Sequence, residues 1–221
     1  MVARPSLVVP VCAAAGFLVL LALTIVDWTP LNRVDAAVSD AFRAYGDHSS
    51  GLVAVVRVAT DFVATVPFVA TGLVVGAALA VRGERRPALL CVAVTILVPL
   101  LWGLMHWLVH HPRPEDGFVT VTSNGFPSGH TSNAAAAALV AVHLIWPRSN
   151  RRVRLVTLGL AAAFALLAGL TRVFLVVHWP TDVLGGWLLA LAVVPATARL
   201  LAGGVPQGRD RLVRSRPGPA A

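Results

Sequence analysis

The chain has 221 residues, of which 57% are hydrophobic and only 13% charged, and its mean hydropathy is +0.78. A soluble core of this length could not hide so much apolar surface, so the composition excludes an ordinary water-soluble globule and points to a bilayer as solvent. The net charge of +8 comes from 18 basic residues, all arginine; they cluster between apolar stretches, which reads as a topology signal and not as a nucleic-acid footprint.

Six apolar stretches follow one another, over residues 7–26, 62–81, 88–108, 129–146, 153–177 and 182–201. A helix crossing a bilayer needs about 20 apolar residues. Five stretches meet that length. The fourth is short by itself and reaches it if its helix starts at Ser128. The first stretch resembles a signal peptide in having Arg4 before it, but its apolar run exceeds the usual h-region of about 7–15 residues and no clear cleavage site precedes Asp27; it reads as a retained helix. Between the first and second stretches, Asp35 is placed to cap a short helix. Val38, Ala41, Phe42 and Tyr45 recur there at i, i+3, i+4 and i+7, giving one apolar face. Such a helix lies on the membrane surface or packs as a loop helix. Residues 1–202 form one membrane domain, and residues 203–221, rich in Gly, Pro and Arg, read as a disordered tail able to touch anionic lipid.

Six crossings put both termini on one side. Arg4, Arg82, Arg85, Arg86, Arg148, Arg151, Arg152, Arg154, Arg209, Arg211, Arg214 and Arg216 share that side, and the positive-inside rule makes it cytoplasmic. The opposite loops carry mixed or acidic charge, with Asp27, Asp35, Asp40, Asp47, Asp61, Glu115 and Asp116 against Arg33, Arg43, Arg57 and Arg113. The fold class is therefore an all-α bundle of six transmembrane helices with cytoplasmic termini.

Three polar clusters fall on the side opposite the termini: His106 with Arg113-Pro114, then Pro127-Ser128-Gly129-His130, then Thr171-Arg172 with His178 and Asp182. Ionisable groups near a membrane are costly and usually functional. Phosphoryl transfer needs positioned cations and N–H donors around equatorial oxygens that carry negative charge. Arg113 and Arg172 supply planar bidentate donors, and the turn Ser128-Gly129 before an apolar helix supplies backbone N–H groups and close access. His178 and Asp182 are four residues apart, so the carboxylate can hold one imidazole nitrogen and leave the other free to attack phosphorus. His130 is then the general acid that protonates the leaving oxygen.

These residues resemble the type 2 phosphatidic acid phosphatase superfamily, whose pattern is Lys-x6-Arg-Pro, Pro-Ser-Gly-His and Ser-Arg-x5-His-x3-Asp. The second motif is complete at Pro127, Ser128, Gly129 and His130. The third is complete at Arg172, His178 and Asp182, with Thr171 at the serine position. The resemblance implies a membrane lipid phosphatase working on a polyprenyl diphosphate, a phosphatidic acid or a related lipid phosphate through a phosphohistidine. It implies His178 as nucleophile, Asp182 as its orienter, His130 as general acid, and Arg113, Ser128, Gly129 and Arg172 as phosphate ligands, with no metal and no cofactor. His106 occupies the lysine position of the first motif, and the chain has no lysine. His106 is expected to contact phosphate still, with weaker or more pH-dependent affinity.

Rival readings are distinguishable. His106, His110 and His111 suggest a zinc site, but a third ligand and second-shell carboxylate would have to come from Glu115 or Asp116. A transporter or non-catalytic lipid-phosphate-binding protein would show inverted repeats or broken helices near mid-membrane, and no such repeat is visible. His48 and His143 read as structural residues, His110 and His111 as loop residues. Trp179 is placed to shape a lipid-phosphate entrance, and Gly185-Gly186 to permit close helix packing. Cys12 and Cys91 lie in apolar runs with no metal-ligand partner at useful spacing.

Overall fold

A computed structural model describes residues 6–203, and these are helical with no strands. The elements are α1 (Val8–Ile25), α2 (Thr29–Asp47), α3 (Ser50–Asp61), α4 (Thr65–Val81), α5 (Arg85–Leu108), α6 (Gly129–Ile145), a 3₁₀ turn at Trp146–Arg148, α7 (Arg151–Phe174) and α8 (Pro180–Gly203). The tail expected to be disordered lies outside the described residues, apart from Gly203, which ends α8.

Five described stretches are long and apolar enough to cross a membrane: Val8–Ile25, Ser50–Val81, Arg85–Leu108, Arg151–Phe174 and Pro180–Ala202. α6, with 17 residues, is shorter than these. Large apolar side chains such as Leu18, Val74, Leu160, Leu167 and Leu200 stay exposed around the bundle, as expected where the surrounding medium is hydrocarbon. Pro99 in α5 and Pro195 in α8 fit this setting, since neighbouring helices in a membrane bundle can compensate a lost backbone bond.

α8 is the central helix. It packs against α1, α5 and α6, and it is the most buried of the five spans. Leu90, Val94 and Val98 of α5, Ala135 and Ala136 of α6, and Ala190, Val194 and Ala198 of α8 form the main core. Small residues let the backbones approach. A methyl on Gly185 would lie 2.6 Å from the Phe126 ring, and one on Gly186 would lie 2.9 Å from the Ser128 carbonyl, so this glycine pair seats α8 against the loop before α6.

The segment between the first and second crossings differs from the sequence expectation. It holds two helices, α2 and α3, and the second apolar stretch begins at Ser50, broken by a turn after Asp61. Asp35 does not cap α2; it lies inside that helix and is 4% exposed. The buried face runs through Asp35, Ser39 and Gly46, with Phe42 and Tyr45 edge-on to Phe174 of α7. The face is rotated from the apolar pattern because Asp35 has a buried partner, Thr181 at the start of α8, whose N–H and Oγ1 both donate to its carboxylate at 3.0 and 2.5 Å.

The arginine-rich turns lie together at one end of the bundle. Gly83, at φ +75, closes α4, with Glu84 N–H returning to the Leu79 carbonyl, and Glu84 pairs with Arg148 at 2.5 Å. The C-terminal ends of α5 and α7 and the N-terminal ends of α6 and α8 meet at the other end.

Candidate active site

His178 lies in the turn between α7 and α8. Val176 in that turn has φ 52, a left-handed conformation unusual for a β-branched residue. It is held in place by the loop before α6: Phe118 N–H donates to Leu175 O at 3.0 Å, and the Gly117 backbone lies directly against the Val176 carbonyl. The turn buries His178 to 2% exposure against Asp182, which is fully buried. Nδ1 of His178 is 3.1 Å from Asp182 Oδ2, which also accepts the Trp179 N–H at 3.0 Å.

Arg113 fixes the imidazole tautomer. Its Nη1 lies 2.8 Å from His178 Nε2. A guanidinium only donates, so Nε2 must hold the lone pair and Nδ1 the proton given to Asp182. Burial, with Arg113, Arg172, His106 and His130 adding in the same direction, holds the His178 pKa well below the ordinary imidazole value. The ring is thus neutral near neutral pH, with its lone pair on Nε2. Arg113 also donates Nε–H to Ser123 O at 2.7 Å, Nη1–H to Val177 O at 2.6 Å, and Nη2–H to Ser123 Oγ at 3.1 Å and Asn124 O at 3.0 Å. All five of its N–H groups therefore have protein acceptors.

Arg172 comes from the last turn of α7 and is 4% exposed. One Nη1–H reaches Thr60 Oγ1 at 3.0 Å, and Thr60 in turn contacts Thr171 Oγ1 at 3.1 Å. The Nε of Arg172 is buried and has no partner among the described residues. An unpartnered buried guanidinium N–H is costly and is suited to an anion. His130, half-buried at the second position of α6, lies in the joint field of Arg172 and Arg113.

Ser128 stands at the N-cap position of α6, but its side chain does not cap the helix; its Oγ accepts from Thr131 Oγ1 at 3.0 Å. That departs from the sequence expectation and leaves the first-turn N–H groups without a side-chain acceptor. Ser128 N–H donates to the Asp182 carbonyl at 2.9 Å, so the second and third motifs are tied through backbone. A methyl on Gly129 would lie 3.0 Å from the Trp102 ring. His106 Nε2 is 2.8 Å from the Pro127 carbonyl, and Asn124 Nδ2 donates to the His106 carbonyl at 2.7 Å, so His106 braces the turn that carries Ser128.

His106, Arg113, Ser128, Gly129, His130, Arg172, His178 and Asp182 thus converge at one end of the bundle. Three neighbours escaped the sequence reading: Thr60, Asp35 and His111. His111, read as a loop residue, has its Nε2 3.7 Å from Asp182 Oδ1. Its sequence signals, a place two residues before Arg113 and a grouping with His106 and His110 in the zinc reading, did not point to Asp182. His48 and His143 each bond a carbonyl of their own helix, four residues back. Trp179 anchors the loop by donating Nε1–H to Pro112 O at 2.8 Å.

Fold and site together define a multi-pass helical membrane protein with histidine, arginine and aspartate gathered where four helix ends meet. The family model described as the PAP2 superfamily matches residues 88–203, more than half of the chain, from α5 through α8. The chain belongs to the PAP2 superfamily. It is similar to phosphatidylglycerophosphatase B of Escherichia coli K12, 38% identical over 92 residues that make up 42% of this chain and 32% of that protein. The protein of the same name from Bacillus subtilis is 37% identical over 92 residues, 40% of this chain and 44% of the relative. The matched segment therefore spans less than half the length of these curated relatives. The crystal structure of a transmembrane PAP2 type phosphatidylglycerolphosphate phosphatase from Bacillus subtilis aligns with a TM-score of 0.77 at 26% identity, covering 91% of this chain and 99% of that one.

Proposed function

We propose that this chain is a membrane lipid phosphatase that hydrolyses a lipid phosphate or lipid diphosphate through a phosphohistidine, without a metal ion. The observation that carries the reading is the fixed tautomer of His178. Its Nδ1–H faces Asp182 and its Nε2 lone pair faces Arg113. In the reaction, Nε2 attacks phosphorus and the bond to the leaving oxygen breaks. His130 gives that oxygen a proton, and Asp182 stabilises the charge that develops on the His178 ring. Arg172, the α6 N-terminus and a repositioned Arg113 hold the equatorial oxygens. Water activated by His130 then cleaves the P–N bond, releasing phosphate and restoring both histidines.

A lipid substrate is supported by an apolar cavity of about 380 Å³ among α4, α5, α6 and α7. Phe68, Val94, Asn133, Ala137, Ala141 and Phe164 are among its lining residues, and Asn133 lies one helical turn beyond His130. An acyl or prenyl chain suits these walls while the phosphate sits at the polar end. The names of the curated relatives favour a phosphatidylglycerol phosphate, and phosphatidic acid and polyprenyl diphosphate share its reacting group. The α6 helix would complete six crossings, with cytoplasmic termini at the arginine-rich side and the site facing the extracytoplasmic side.

The test is phosphate release by detergent-purified protein in excess chelator. Phosphatidylglycerol phosphate, phosphatidic acid and polyprenyl diphosphate are offered side by side. Release is expected in chelator and is expected to vanish in His178→Ala. Turnover that survives in that variant would exclude the nucleophile, and loss of turnover in chelator would exclude the metal-free step.

A further inference from the structure

Asp182 has two oxygens in a fully buried carboxylate, and only one is satisfied. Oδ2 accepts from His178 Nδ1 and from Trp179 N–H. Oδ1 is buried and has no hydrogen-bond partner among the described residues. The Nε2 of His111 is likewise buried and unpartnered, and these two orphans face one another at 3.7 Å. A carboxylate oxygen left bare in a dry site is strongly disfavoured, and so is a bare imidazole N–H. Each supplies what the other lacks, and a shift of about 0.5–0.8 Å would bring them from 3.7 Å to hydrogen-bond distance.

The backbone makes this pairing a built feature. His111 O accepts Gly125 N–H at 2.8 Å, and Pro112 O accepts the Trp179 indole at 2.8 Å. Arg113, the next residue, is tied down by its guanidinium bonds. Three consecutive residues are thus pinned over the start of α8, with the His111 side chain 11% exposed.

We propose that His111 is a positioning residue: it donates its Nε2–H to Asp182 Oδ1, so that the carboxylate is clamped between two imidazoles and holds its ionised form and its angle toward His178. The proposal rests on the reading of His178 as nucleophile. A neutral imidazole suffices for this role, because it donates a hydrogen bond without adding a cation that would compete with the charged His178 ring for Asp182. Burial pulls the His111 pKa below the ordinary value, against the pull of Asp27, which keeps the ring neutral at neutral pH. His111 touches no reacting atom; it acts through Asp182.

The experiment uses the full chain in detergent with phosphatidic acid as probe. His111→Phe keeps the ring volume and removes the donor, whereas His111→Gln keeps an amide N–H that can reach Oδ1. Losing a hydrogen bond to a buried charge is expected to lower kcat roughly 10- to 100-fold in His111→Phe with KM nearly unchanged, and His111→Gln is expected to recover most of it. Wild-type kcat in His111→Phe would overturn the proposal, and so would equal losses in both variants, since packing alone would explain those. A measurement on the unmodified protein covers the case where the Phe variant fails to fold. In ¹⁵N-histidine NMR spectra, with His111 assigned from the signal missing in His111→Gln, the ring must carry its proton on Nε2. A proton on Nδ1 alone overturns the clamp. His178→Ala separates the two readings: if it still turns over, the nucleophile assignment falls and the positioning role with it. If it is inactive while His111→Phe matches wild type, only the role of His111 falls.

Discussion

A methyl group on Gly125 would sit 2.8 Å from Asp182 Oδ2 and 3.5 Å from the Arg113 side chain. The distance to Arg113 is ordinary van der Waals contact, but the carboxylate has nowhere to retreat, since Asp182 is fully buried. Gly125→Ala is therefore expected to push the carboxylate off His178 and to lower kcat by about tenfold or more, with the helical content retained in circular dichroism. At this scale the sequence was legible where a motif carries its own geometry. The pairing of His178 with Asp182 follows from a four-residue spacing at the start of a helix. The assignments that shifted depend on who sits opposite. Ser128 occupies a capping position, yet its hydroxyl is turned to Thr131; His106 replaces a lysine, yet its Nε2 is engaged by the Pro127 carbonyl. No local pattern reveals that His111 folds back onto Asp182, because the contact joins residues 71 apart.

Among the elements, α2 and α3 do the work that the apolar pattern hides. Read as a loop with one short helix, they instead bring Asp35 to the first turn of α8 and Thr60 to Arg172. A buried acid is ordinarily read as a helix cap or a charge defect. Here it is a cap for a different helix, 146 residues away, next to the Asp182 that faces His178. Asp35→Ala leaves two buried donors of Thr181 without an acceptor, at a cost of about 1–3 kcal/mol each. The variant is expected to unfold at lower temperature in detergent and to lose activity. Asp35→Asn, which keeps one acceptor, should lie between it and wild type in both assays. If Asp35→Ala melts with the wild-type protein, α2 is not held to α8 through this contact. The helices α1, α5, α7 and α8, by contrast, were readable from length and hydropathy alone, because a bilayer-facing surface is apolar whichever partner lies behind it, whereas the shorter α6 was not.

For the molecule as a whole, the bundle separates an arginine-rich end from an end that buries titratable groups. His111 and His178 are both held below the ordinary imidazole pKa, by burial first in each case. In the unfolded chain both take up protons near pH 6.5. In the folded chain they do not until lower pH, so the unfolded state binds more of these protons below that point. The contribution of these two rings to stability therefore falls as the solution is acidified, against the opposing pull of the single Asp35 carboxyl, which burial holds above its ordinary value. Each such proton contributes a slope of about 1.4 kcal/mol per pH unit within the window that starts near pH 6.5 and runs downward. The melting temperature in detergent is expected to drop through this window, and less steeply in His178→Gln. An identical slope in that variant would show that His178 is protonated as easily in the fold as outside it.

The five occupied N–H groups of Arg113 have a consequence for how an anion enters and leaves. A phosphate cannot be added to this guanidinium, only exchanged for the Val177 carbonyl, the His178 nitrogen or the loop oxygens that now occupy it. On the proposed mechanism, arrival of the anion would uncover the lone pair of His178, and its departure would let the guanidinium fall back over that nitrogen. Arg113 would then be a placeholder for the phosphate, and the proposed nucleophile would be open only while there is a phosphate for it to meet.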